Sequence, residues 1–351
     1  MSNKKYDLII YIGRFQPFHN AHEYVVRAAQ ELADEVLILI GSSNVGRSIK
    51  NPFTGDERYF MILRALPDFD NSCGAIKFIN DYTYDNNLWV GHVGEVVNEY
   101  AGPRMCQKIG VIGHDKDHSS FYLNSFPQWD YIPIGSYPEK GNIIDATQIR
   151  RLLYTRNYHF IKGVISPNVY EWIDKEFIYT DEYDGLVEEH NFVENYKKAW
   201  SVAPYPPVFV TVDSVVYQSG HVLLIQRGGF PGNGQWALPG GFIGPHETLE
   251  YASIRELREE TRVKVPEKVL QGSIVASEVF DDPNRSTRGR TITHTYLYQL
   301  DDSESLPRVK GSDDAMAAKW FSLAEINDMA TEMYEEHWHI IKHMLTKLKQ
   351  H

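Results

Sequence analysis

A chain of 351 residues is longer than one hydrophobic core ordinarily organises, so its length points to two domains. Net charge is −12, from 35 Lys and Arg against 47 Asp and Glu; this excludes broad binding to nucleic acid or an acidic membrane and requires any phosphate recognition to rest on local positive charge. No apolar run is long enough to span a bilayer or reads as an export signal, and Cys73 and Cys106 lack metal-ligand spacing, so the expectation is a cytoplasmic chain with reduced thiols.

In chain order, short apolar runs alternate with helical patterns through the first half. Strands are predicted at 8–12, 36–40, 75–79, 108–112 and 131–134, with helices at 23–33, 55–66 and 91–100. That alternation predicts an α/β domain on a parallel sheet with crossover helices. Directly after the first strand comes GRFQPFHNAH (13–22), opening a helix. Free backbone N–H groups and the helix dipole make such a turn a place for anions. Gly13, Arg14 and Phe15 are therefore candidate nucleotide contacts, and His19 and His22 stand three apart where both can face one phosphate. Near the end of this half, IDATQIR (144–150) enters another helix and offers Thr147 and Arg150 one turn apart.

Residues 180–200 carry no strand pattern and lead into the Pro-rich APYPP at 203–207. The expected division is a first domain at 1–180, a linker at 181–205 and a second domain at 206–351. The second opens with two strands around a Ser219-Gly220 turn, continues to a strand at 291–300 and ends in a helix from Leu323 onward, an α+β pattern.

Within it, GFIGPHETLEYASIRELREETRV (241–263) runs from a Gly- and Pro-rich loop into a predicted helix. Glu256, Glu259 and Glu260 then fall at i, i+3 and i+4 on one helical face, which repels itself unless cations bind it. Hard oxygen ligands in that number suit Mg²⁺ or Mn²⁺ against a diphosphate, and make these three glutamates the candidate metal ligands and catalytic residues. Arg255, four residues before Glu259, is placed to hold that carboxylate. The general base is open among Glu256, Asp313 and Asp314.

Gly241, Glu247, Arg255, Glu256, Leu257, Glu259 and Glu260 fill the Nudix box, and the segment resembles that of Nudix hydrolases; Arg262 stands where the family usually has Gly. The first half resembles the nucleotidyltransferase superfamily, marked by an HxGH motif after strand one and an ISTxxR-like motif before a late helix. GRFQPFH, with NPFTGDER (51–58) and IGHDKD (112–117), is similar to nicotinamide-mononucleotide (NMN) adenylyltransferases of the archaeal type, with Ala21 and Ala146 in place of the motif Gly and Ser. The resemblance implies a Rossmann-like domain that joins ATP and NMN into NAD. His19, His22 and Arg150 would be its catalytic residues, Arg14, Arg47 and Thr147 further phosphate contacts, Asp115 a group near nucleotide or metal, and Trp89 a stacking partner for nicotinamide. In the second half, FDDPNRSTRGRTITHTY (280–296) resembles a run carried by ADP-ribose pyrophosphatases, and implies ADP-ribose as substrate with Arg285 and Arg288 as contacts. The two resemblances together match a bifunctional NMN adenylyltransferase/Nudix hydrolase type, with no nucleic acid or membrane partner and a homo-oligomer left open. Two alternatives stand beside it: a pantetheine-phosphate or cytidylyl transferase fused to another Nudix hydrolase, and a Nudix effector-binding module.

Overall fold

Alternate residues of the first strand are buried on opposite sides. In β1 (Tyr6–Gly13), Leu8, Ile10 and Ile12 enter one core cluster while Ile9 and Tyr11 enter another. A strand apolar on both faces must be covered on both faces, the condition of a parallel sheet flanked by helices. The structure is a computed structural model that describes residues 4–69, 72–113, 125–135, 137 and 145–348, and the chain divides into units Met1–Val187 and Glu188–His351.

In the first unit β1 is followed by α1 (Asn20–Leu32), β2 (Ala33–Ile40), α2 (Gly55–Ala65), β3 (Gly74–Phe78), α3 (Asn86–Ala101), β4 (Ile109–Gly113), β5 (Asp130–Pro133), α4 (Ala146–Tyr154) and α5 (Pro167–Lys175). Its sheet is parallel in every pairing, with strand order β3-β2-β1-β4-β5. Val25, Val26 and Ala29 of α1 and Met61 and Ile62 of α2 cover one face, and Val93 and Val97 of α3 cover the other. Because the chain moves outward from β1 to β3 and then returns to β4, the order reverses between β1 and β4. The crevice beyond the carboxyl ends of those two strands is where ligands of such sheets bind.

α6 (Asp181–Trp200) contains the point at which the chain divides, so most of the segment expected as a linker is helical. The second unit continues with β6 (Val208–Gln218), β7 (His221–Arg227), β8 (Trp236–Ala237), β9 (Gly240–Phe242), α7 (Leu249–Thr261), α8 (Glu267–Gly272), β10 (Ile274–Phe280), β11 (Arg290–Gln299), β12 (Ala315–Ser322), α9 (Leu323–Asp328) and α10 (His337–Leu345). The β6–β7 turn has φ of 45° at Ser219 and 76° at Gly220, the positive pair that suits a tight hairpin. The sheet runs β10-β11-β6-β7-β12, with β8 on β7 and β9 on β6; β6 and β11 are parallel and the other pairs antiparallel. Val212 and Val216 of β6 pack with Ile254 and Leu257 of α7, which seats α7 on the sheet. Among the described residues no helix is long and apolar enough to cross a membrane.

Candidate functional site

Three sequence motifs converge on the turn after β1. The Gln16 side chain donates to the Phe53 carbonyl at 2.8 Å and accepts from the Phe53 N–H at 3.0 Å, joining GRFQPFH to NPFTGDER. Arg58, fully buried, donates to the carbonyls of Arg14, Gly41 and Ser42, and burial lowers its pKa to about 10. Arg150, from the first turn and a half of α4, donates to the Gln16 carbonyl at 2.9 Å and to Thr147 Oγ1 at 3.1 Å. Burial, with a smaller push from Arg14, lowers the Arg150 pKa, so two guanidiniums lie close enough to repel. Neither Arg14 nor Arg150 forms an ion pair among the described residues.

The histidines stand at the same corner. His22 Nδ1 accepts from the His19 backbone N–H at 3.2 Å, which places the proton of the neutral ring on Nε2. The two imidazoles stack at 3.7 Å between centroids, and Phe15 and Phe18 pack on the His22 ring at 5.1 and 5.5 Å. A donor fixed by stacking and a backbone bond loses little freedom when an anion arrives.

In the second unit a cleft of about 1020 Å³ is lined by the β9 loop, α7 and the loop before β12. Arg255 organises its acidic side. Its guanidinium takes both oxygens of Glu247, at 2.6 and 2.9 Å, and one terminal nitrogen bridges Glu256 and Glu259 at 2.9 Å each. The Arg255 bonds hold Glu247 down to a pKa of about 2. Glu260 is buried and accepts from the Gly240 N–H at 2.9 Å; burial, and then the nearby Glu256 and Asp213 charges, push its pKa up to about 8. Burial also raises Glu256, with Glu259 and Asp313 adding to it. Glycine is required on β9: a Cβ on Gly240 would stand 2.1 Å from the Val212 carbonyl oxygen, and one on Gly241 2.6 Å from Glu256 Oε1. The α7 carbonyls of Glu260 and Thr261 accept from Ser312 and Lys310, which brings Asp313 and Asp314 to the cleft.

Among the described residues no three acidic, His or Cys side chains converge as a ready-made metal cage. Arg255 stands between Glu256 and Glu259, and Glu260 turns to Gly240. The donor set nonetheless fits a hard divalent cation: oxygen ligands only, and carboxylates whose mutual repulsion such a charge would relieve.

A family model described as "NUDIX domain" matches residues 207–344 and one described as "Cytidylyltransferase-like" matches residues 10–115. The nicotinamide/nicotinic acid mononucleotide adenylyltransferase of Acinetobacter baylyi is 39% identical over 151 residues, covering 43% of this chain and 77% of that protein. A crystal structure of a bifunctional NMN adenylyltransferase/ADP ribose pyrophosphatase from Francisella tularensis aligns with a TM-score of 0.89 at 38% identity, over 97% of this chain and 99% of that one. The chain belongs to the bifunctional NMN adenylyltransferase/ADP-ribose pyrophosphatase family. The same Francisella tularensis enzyme in complex with AMP and a manganese ion aligns with a TM-score of 0.88 at 37% identity, again over 97% and 99% of the two chains.

Against the family's two-site plan, the structure brings together Arg14, His19, His22, Thr147 and Arg150 in one unit and Glu256, Glu259, Glu260 and Arg288 in the other. Three other expected contacts are engaged within the protein. Phe15 is core: its ring is buried and lies over Gly13, where a Cβ would come within 2.6 Å of it. Arg47 is committed to both Glu57 oxygens at 3.0 Å. Arg285 is closed off from solvent in an ion pair with Glu336 at 2.5 Å, with Asp213 at 4.0 Å. Trp89 is half-buried with its ring 5.9 Å from Phe126. Asp115 and its neighbours in IGHDKD from His114 on lie outside the described residues.

Arg227 was not expected. It ends β7, lines the cleft, donates from Nε to the Pro231 carbonyl at 2.9 Å and stacks on Tyr334 at 4.2 Å, with no ion pair among the described residues. An arginine closing an apolar strand before a glycine-rich loop is the signal that could have found it. Arg288 mirrors it, stacked on Phe242 at 5.0 Å with a buried Nε that has no hydrogen-bond partner among the described residues.

Proposed function

We propose that the first unit transfers AMP from ATP to NMN, giving NAD and pyrophosphate, and that the second hydrolyses ADP-ribose to AMP and ribose 5-phosphate with a divalent cation, Mg²⁺ or Mn²⁺. The observation that carries this reading is the likeness to the Francisella tularensis bifunctional enzyme over 97% of the chain. Likeness to that enzyme along the whole chain favours it over a pantetheine-phosphate or cytidylyl fusion. The full set of box glutamates favours a hydrolase over an effector-binding module.

In the transfer, an NMN phosphate oxygen attacks the α-phosphorus of ATP while the bond to the β-phosphate breaks and pyrophosphate leaves. No protein nucleophile is needed; positioning and charge neutralisation suffice. His22 donates from Nε2 to the ATP phosphates with His19 beside it, and Arg14 and Arg150 balance the charge on the leaving pyrophosphate. Thr147 keeps the Arg150 fork aimed, through the 3.1 Å bond between them.

In the hydrolysis, water oxygen attacks one phosphorus of ADP-ribose, the bridging P–O bond breaks, and a cleft carboxylate takes the water proton. Glu256, Glu259 and Glu260 would hold the divalent cation, which supplies charge neutralisation and a lowered water pKa. Arg255 orients Glu256 and Glu259, and Arg227 and Arg288 bind diphosphate oxygens through guanidiniums already fixed by stacking.

The test is a product assay on one preparation: NMN, ATP and Mg²⁺ in one tube, ADP-ribose and Mg²⁺ in the other. NAD with pyrophosphate, and AMP with ribose 5-phosphate, are expected. Turnover of phosphopantetheine with none of NMN would overturn the first half, and ADP-ribose left intact would overturn the second.

A further inference from the structure

Arg58 of α2 is fully buried, and no carboxylate bonds it among the described residues. A guanidinium taken out of water ordinarily demands an anion. Arg58 meets carbonyl oxygens instead: Thr54 at 3.0 Å from Nε, Arg14 at 2.8 Å and Gly41 at 2.5 Å from one terminal nitrogen, and Ser42 at 3.0 Å from the other. Asp81 favours its charged form but bonds Ser42, whose N–H and hydroxyl donate to that carboxylate at 3.2 and 2.6 Å.

The place of these carbonyls gives the charge a use. Arg14 and Gly41 stand just past the carboxyl ends of β1 and β2, which are joined there by the Gly41 N–H donating to the Gly13 carbonyl at 2.9 Å. Ser42 follows in the left-handed region at φ 52°, a strained conformation for a residue with a Cβ, and is gripped by Arg58 at its carbonyl and by Asp81 at its N–H and hydroxyl. Carbonyl oxygens left open at this edge would repel a phosphate, and Arg58 takes three of them.

Arg58 is itself held. Its bond to the Thr54 carbonyl lies in the first turn of α2, whose start is fixed by reciprocal bonds between Thr54 and Glu57 at 2.7 and 3.2 Å. GRFQPFH and NPFTGDER are thus joined at two points, Gln16 to Phe53 and Arg58 to Arg14. The second point bears on a residue whose own guanidinium has no ion pair among the described residues. We propose that Arg58 is a positioning residue of the transferase: sealed from substrate, it acts through Arg14, whose backbone it fixes so that the Arg14 side chain meets the leaving pyrophosphate. This rests on the reading of the first unit as an NMN adenylyltransferase.

The experiment measures kcat and KM for NMN and ATP in NAD formation by wild type, Arg58→Lys, Arg14→Ala and the double variant. Arg58→Lys keeps the charge, but one ammonium cannot replace the fork that spans two strand ends. It should lower kcat and kcat/KM together by about ten- to a hundredfold, the scale of a small misplacement at a reacting centre, with both KM values little changed. On the Arg14→Ala background the same substitution should cost less than about twofold, because the group it positions is gone. ADP-ribose hydrolysis should be unchanged in every sample, and a melting curve reports folding; if Arg58→Lys does not fold, Arg58→Gln carries the same cycle. A wild-type kcat in Arg58→Lys, the full loss repeated on the Arg14→Ala background, or failure of both Arg58 variants to fold would overturn the positioning role while leaving the transferase reading intact. Wild type that forms no NAD from NMN and ATP would overturn that reading, and the role with it.

Discussion

The two units meet phosphate with opposite charge. The first gathers hydrogen-bond donors on a turn at the sheet edge: the guanidiniums of Arg14 and Arg150, without ion pairs among the described residues, and two stacked histidines held by a backbone bond. The second gathers carboxylates on α7 and gives its Arg255 to four glutamate contacts, so on the proposed reading its positive charge comes from a bound cation and from Arg227 and Arg288, which line the cleft. In one design the protein carries the neutralising charge. In the other it carries ligands for it, and this should separate the two activities under mutation.

The largest effect is expected at Glu260. On the proposed reading Glu260→Gln removes a metal ligand and should lower ADP-ribose hydrolysis by more than about a hundredfold, since loss of outer partners alone already costs about that much. NAD formation by the same sample, read as pyrophosphate release, should be unaffected. Hydrolysis at the wild-type rate would mean that the acidic face of α7 is only a charged surface.

Next come two arginines three residues apart. Arg285→Ala leaves Glu336 and Asp213 buried without their cation and should destabilise the second unit by about 3–5 kcal/mol, seen in the denaturation midpoint. Arg288→Ala removes a cleft guanidinium and should instead raise KM for ADP-ribose by about ten- to a hundredfold with the midpoint unmoved. Effects in the reverse order would return Arg285 to the substrate and undo its assignment to the interior.

The smallest effect concerns the end of α7. Arg262 sits in the left-handed region at φ 46°, where the family usually has Gly. Arg262→Gly should stabilise by about 1 kcal/mol with both activities unchanged. A loss of stability would mean that the Arg262 side chain makes up for its backbone.

Much of this was legible in the sequence. The five strands of the first unit fall where short apolar runs place them; for β1, β2 and β4 this is because a buried parallel strand writes itself as such a run. The box glutamates and the histidine pair were legible because their spacing is the chemistry. What was not legible depends on partners far along the chain. Arg285 and Arg288 look alike as text, yet only Arg285 meets Glu336, 51 residues on. Arg47 reads as a phosphate contact, and its ion pair with Glu57 is not written in that reading. α6 hides its helical spacing of buried Tyr183, Leu186, Val187 and Val193 among acidic neighbours and a buried Glu189. The helix expected from Leu323 onward is broken into α9 and α10 by a 3₁₀ turn at Ala330–Glu332.

The most direct test of two separate phosphate chemistries is a reciprocal pair of variants assayed side by side for pyrophosphate release from NMN and ATP and for AMP release from ADP-ribose. His22→Ala removes a donor of the first site and Glu260→Gln a ligand of the second. The account predicts that His22→Ala lowers only NAD formation, by about a hundredfold or more, and that Glu260→Gln lowers only hydrolysis. Equal loss of both activities in either variant would contradict it.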